Sequence, residues 1–106
     1  MMKELHTIQE WENVKDSYSG FLFKHSSTCP ISARAFQEFR FFVKNNLDAP
    51  AYFITVQTSR PLSNYIEEVT GIRHESPQVF YFKDGKVVES TSHTSIKENL
   101  LVSWVR

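Results

Sequence analysis

One cysteine among 106 residues has no partner within the chain. An intramolecular disulfide is excluded, and so is a zinc site built from several cysteines. The four histidines, His6, His25, His74 and His93, lack the spacing of metal ligands, so no metal site is expected. Net charge is missing as well. Lys plus Arg and Asp plus Glu both number 12, so no overall field draws the chain to nucleic acid or to an acidic membrane. No stretch approaches the roughly 18 apolar residues of a membrane span. The opening residues MMKELHTIQEWENVK lack the apolar run of a secretory signal. A cytoplasmic protein with a reduced thiol is the expectation. Low-complexity tracts, internal repeats and linkers are absent too, so residues 1–106 are read as a single domain.

What is present is aromatic and periodic. Nine phenylalanines are enough to dominate a core, and without a basic patch beside them they do not form a nucleic-acid platform. Residues 3–6 are read as a first strand. Thr7-x-x-Glu10 is a capping box, with Ile8, Trp11 and Val14 following at helical spacing. Gly20–Lys24 is a short apolar run typical of a buried strand. A helix is expected from Pro30 to about Asn45, with Phe36, Phe39 and Val43 inward. Ala51–Val56 is a β-branched and aromatic strand. Ser59 and Pro61 open a helix with Leu62, Tyr65, Ile66 and Val69 inward, and Gly71 ends it. Gln78–Phe82, the turn Asp84-Gly85 and Lys86–Glu89 form a hairpin. Ser95-x-x-Glu98 is a second capping box, opening a last helix with the stripe Ile96, Leu100 and Trp104. The order β-α-β-α-β-α-β-β-α begins with strand–helix alternation, which implies parallel strands, and ends in a hairpin and a helix. That order points to an α/β chain of thioredoxin-like fold, a mixed central sheet with helices on both faces.

The chemistry centres on Cys29. A lone cysteine is by default an inert, buried residue. This one follows a strand and a polar loop, His25-Ser26-Ser27-Thr28, and precedes a proline suited to the first helical position, which puts Cys29 at an N-cap. Unpaired N–H groups at a helix start favour the thiolate, the species that attacks disulfides.

Thr28-Cys29-Pro30-Ile31-Ser32 resembles the Thr-Cys-Pro-x-Cys loop of glutaredoxins with serine for the second cysteine. The run from Gly71-Ile72-Arg73 through Ser76-Pro77 to Phe82-Lys83-Asp84-Gly85-Lys86 resembles the thioredoxin segment around its cis-proline, one residue longer before Pro77. The resemblance covers nearly the whole chain, which is similar to the monothiol bacilliredoxin family. By that resemblance Pro77 is the cis-proline facing Cys29, against the ordinary alternative of a trans proline at a strand start. The resemblance also implies that the Ser76 backbone pairs with a bound thiol or peptide, and that Thr28 lies beside it. Pro30, Ile31 and Ser32 would support the thiolate. Ser32 either donates to the Cys29 sulfur or is a plain first-turn serine. Lys24 is a candidate for holding a ligand carboxylate, although it stands farther from Cys29 than the glutaredoxin lysine does. His25 and His74 are read as solvated loop residues. Phe23 stands where thioredoxins carry a buried Asp, so no carboxylate proton shuttle is implied.

The residues alone indicate monothiol exchange. The resemblance implies bacillithiol as thiol co-substrate with no tightly bound cofactor, S-bacillithiolated proteins as clients, and a flavin disulfide reductase as recycling partner. Two alternatives stay open. One is an iron–sulfur carrier like the Cys-Gly-Phe-Ser monothiol glutaredoxins, against which Pro30 and Ile31 argue. The other is a thioredoxin-fold adaptor that does not use its thiol.

Overall fold

The computed structural model describes residues 2–106. Continuous apolar runs in the central strands, buried on both faces, set the architecture. The strands are β1 (Met2–Glu4), β2 (Gly20–His25), β3 (Ala51–Thr55), β4 (Gln78–Lys83) and β5 (Lys86–Ser92). They form one sheet in the order β1-β3-β2-β4-β5. β3 runs parallel to β1 and β2, and β4 is antiparallel to both β2 and β5. The helices are α1 (Ile8–Glu12), α2 (Pro30–Asn45), α3 (Arg60–Thr70) and α4 (Glu98–Trp104).

Successive strand residues point to opposite faces. Phe21 and Phe23 of β2 pack with Phe39, Phe42 and Val43 of α2 and Leu101 of α4. Leu22 of the same strand packs on the other face with Trp11 of α1 and Leu62 and Ile66 of α3. Two half-cores result, with α2 and α4 on one side of the sheet and α1 and α3 on the other. The thioredoxin-like α/β reading holds.

Thr7 caps α1 through a full capping box: its hydroxyl accepts from the Glu10 N–H, and the Glu10 carboxylate accepts from the Thr7 N–H. Asp84 and Gly85 both take positive φ, 51° and 81°, as the tight β4–β5 hairpin requires.

Several expectations are corrected. The first strand lies at residues 2–4, and β5 runs on to Ser92. Val69 is 48% exposed, and Leu101 is the buried residue of α4. The second capping box does not form. Ser95 closes a short 3-10 turn, His93–Ser95, and α4 begins three residues later. The N–H of Glu98 donates instead to the Glu38 carboxylate on α2 at 2.7 Å. A tertiary acceptor replaces the local cap.

Candidate active site

Three segments meet at one end of the sheet. β2 ends at His25, and the loop 26–28 delivers Cys29 to the start of α2. Cys29 has extended backbone (φ −107°, ψ 121°) and is the N-cap, with Pro30 next. Its carbonyl accepts the first bond of the helix, from the Ala33 N–H at 3.0 Å. The half-buried thiol is not used in capping. Lys24 on β2 pairs with Gln78 on β4, so Pro77 lies beside His25 at the end of the sheet where the Cys29 loop leaves. The Ser76–Pro77 peptide bond is cis. Gln78 ties this second segment together, donating to the Arg73 carbonyl and accepting from the Glu75 N–H. The third segment begins at His93, whose N–H donates to the Pro77 carbonyl at 2.9 Å and whose ring pairs with Glu75 at 2.9 Å.

Ser32 is 0% exposed. Its hydroxyl oxygen accepts from the Ser26 N–H at 2.9 Å and lies 2.9 Å from His25 Nδ1. One hydroxyl proton serves this arrangement. When it goes to His25 Nδ1, none is left for the Cys29 sulfur. When His25 carries its proton on Nδ1 and donates to Ser32, the hydroxyl proton is free. Ser32 is thus more than a first-turn residue: it latches the Cys29 loop to the helix. His25 is correspondingly not a solvated loop residue. Its ring stacks on Phe36 at 4.4 Å and is partly buried. Gln57, just past β3, holds the same loop from the other side. It donates to the hydroxyls of Ser26 (2.8 Å) and Thr28 (3.2 Å) and accepts from the Ser27 N–H. No motif marks Gln57 in the sequence.

Lys24 is placed elsewhere. Strand alternation turns it to the α3 side, away from α2, and it is 0% exposed. Its ammonium donates to the Ser63 carbonyl at 2.9 Å and to His74 Nδ1 at 3.1 Å. Direct contact with a ligand carboxylate requires surface that Lys24 lacks. His74 is likewise committed, being the acceptor for that buried ammonium. Thr28 and Ile31 are exposed beside Cys29.

The model of the family described as monothiol bacilliredoxin BrxC matches residues 3–101. The chain belongs to the monothiol bacilliredoxin family. A solved structure described provisionally as an oxidoreductase with a thioredoxin fold is 37% identical, covering 99% of this chain and 94% of that one, with a TM-score of 0.91. Thioredoxin from Fasciola hepatica (15% identity, 98% and 96% coverage, TM-score 0.75) shares the fold. So does mitochondrial thioredoxin 3 of Saccharomyces cerevisiae (13%, 98% and 92%, TM-score 0.74). Thiol redox chemistry is therefore the function class of this bacilliredoxin-family chain.

The buried amine and imidazoles give the bacilliredoxin domain a pH signature. Burial pushes Lys24 down to about 8, against a partial lift from the Glu67 charge. Between about 8 and 10.5 the unfolded chain holds a proton that the folded chain has released, so stability rises with pH through that window. The difference between its ends is on the order of 3 kcal/mol. Burial also lowers His25 and, together with the Lys24 ammonium, His74. Their contribution is complete above the unfolded value of about 6.5 and is lost as pH falls from there through the folded values. Burial raises Tyr18 and opposes the lysine above about pH 10. The informative readout is therefore the urea midpoint of the wild type minus that of Lys24→Met, followed from pH 5 to 10. The difference should climb above about pH 8. A flat difference would show that Lys24 is not held as described.

Proposed function

We propose that this chain removes bacillithiol from S-bacillithiolated proteins by single-thiol exchange in the cytoplasm. The observation that carries the reading is the pairing of a half-buried Cys29 at the start of α2 with a fully buried, hydrogen-bonded Ser32 where a resolving cysteine would stand. The thiol reaches solvent, and the chain has no second cysteine to expel a captured thiol.

The Cys29 thiolate attacks the bacillithiol sulfur of a client mixed disulfide. A sulfur–sulfur bond forms on Cys29, the bond to the client breaks, and the client thiolate leaves and takes up a proton. Electrons balance, since one disulfide replaces another. A second bacillithiol thiolate then attacks the captured bacillithiol sulfur. This step releases bacillithiol disulfide and restores Cys29, and a flavin disulfide reductase would return that disulfide to thiols. The backbone of Ser76 beside Pro77 is the surface offered to the client. Thr28 and Ile31, exposed on the loop and helix sides of Cys29 in the chain, are the residues offered beside it.

The test compares one client protein carrying either bacillithiol or glutathione on the same cysteine. The bacillithiol adduct should be cleared faster, and a mass spectrum should show one bacillithiol held on Cys29. Equal rates would leave thiol exchange standing and remove bacillithiol as the partner.

A further inference from the structure

Cations within reach of Cys29 would help to select a thiol that bears a dicarboxylate, and Lys24 is sealed on the far side of the sheet. A cavity of about 260 Å³ supplies them on the near side. It opens beside Pro30 and Ile31, the two residues that follow the nucleophile, and runs to His93, Thr94 and Lys97, with Arg34 one helical turn above Pro30. Its floor is apolar, formed by the buried Ala35 and Ile96. The His93 ring is already paired with Glu75 at 2.9 Å. Arg34 and Lys97 are not answered. Among the described residues neither lies within ion-pair distance of a carboxylate. Two unpaired cations thus line one recess that also takes in Pro30, the residue next to the reactive cysteine.

We propose that this cavity between α2 and the 93–97 segment is the subsite for the carboxylates of the small thiol, with Arg34 and Lys97 as their counter-charges. The proposal rests on the bacillithiol reading above and adds the residues that select the thiol. A ligand joined to Cys29 lies across Pro30 and Ile31. Its malate group enters the recess, where the planar Arg34 fork takes one carboxylate and the Lys97 ammonium the other. The apolar floor fixes the depth of entry, and the client protein is left to the Ser76–Pro77 side.

The experiment uses one client protein modified on the same cysteine with bacillithiol or with 2-mercaptoethanol, which has no carboxylate. The quantity read is the ratio of the two clearance rates. Each of Arg34→Gln and Lys97→Gln should lower that ratio by up to about fivefold, and the double variant should lower it further than either alone, as expected for solvent-accessible ion pairs that share one ligand. The wild-type ratio should also fall with added salt, and the double variant should lose that dependence. Both side chains are exposed, so the variants fold. A wild-type ratio near one would overturn the bacillithiol reading and the subsite with it. A high wild-type ratio that survives in the double variant would keep the bacillithiol reading and overturn the subsite alone.

Discussion

Cys29→Ser should abolish both capture of bacillithiol and its removal from clients, leaving only the uncatalysed rate. The chain has no other thiol to substitute. An alcohol at the helix start does not ionise near neutral pH and forms no disulfide, so no partial activity is expected. The fold should be indifferent to the change. The Cys29 side chain makes no capping bond and is half-buried, while serine is a favoured N-cap residue. The urea midpoint should therefore stay within the ordinary range of surface substitutions, about ±0.5 kcal/mol. Loss of activity with unchanged stability assigns the reaction to the sulfur. Clearance by Cys29→Ser at the wild-type rate would make the domain an adaptor that presents clients to some other thiol, and the exchange mechanism would fall.

The order of elements and the Cys29 loop are legible in the sequence, but the side chains that surround the loop are not. Strand alternation decides where those of β2 face. β2 reads Phe21-Leu22-Phe23-Lys24-His25, and the odd-numbered residues face α2, the helix that begins at Cys29. His25 therefore sits over the active-site helix, while Lys24 turns to α3. Counting residues from the cysteine puts Lys24 and His25 alike close to the site. Counting by twos along the strand puts Lys24 on the wrong face. The alternation was legible in the chain, but the helix that covers each face was not, because that depends on the crossovers. The two capping boxes make the same point about locality. Thr7 and Glu10 form theirs because nothing else competes for the Thr7 and Glu10 N–H groups. Ser95 and Glu98 have the same spacing, but Glu38 of α2 reaches the Glu98 N–H first, and Asn45 holds the Glu98 carboxylate at 3.1 Å. Gln57, Arg34 and Lys97 lie outside any motif. Only the folded chain brings them to the loop and the cavity beside Cys29.

Ser32→Cys should convert the site from a thiol that stores its product to one that discharges it. On the proposed reading, bacillithiol taken by wild-type Cys29 should stay until a second small thiol arrives, so the adduct should accumulate at one per chain. Residues 29 and 32 occupy the N-cap and the first turn of α2, the spacing at which two sulfurs can join. In the variant the introduced sulfur attacks Cys29, expels bacillithiol as the free thiol and closes an internal disulfide. The mass after treatment with bacillithiol disulfide should then show loss of two hydrogens and no added bacillithiol, and neither sulfur should alkylate until a reductant is supplied. The reduced variant carries a penalty. The Ser26 N–H and His25 Nδ1 both address the Ser32 oxygen, and sulfur is a weak substitute in that buried position. A loss of about 1–3 kcal/mol in the reduced form is expected from the poorly satisfied N–H, read as a lower urea midpoint than the wild type. That pairing of results, a dithiol reaction gained and reduced-state stability lost, requires position 32 to be both within reach of Cys29 and the latch of its loop. A variant that accumulates the bacillithiol adduct and keeps its second thiol would show that the turn from Cys29 to Ser32 does not bring the two sulfurs together. A reduced variant as stable as the wild type would show that the Ser32 hydroxyl is not the group holding the loop.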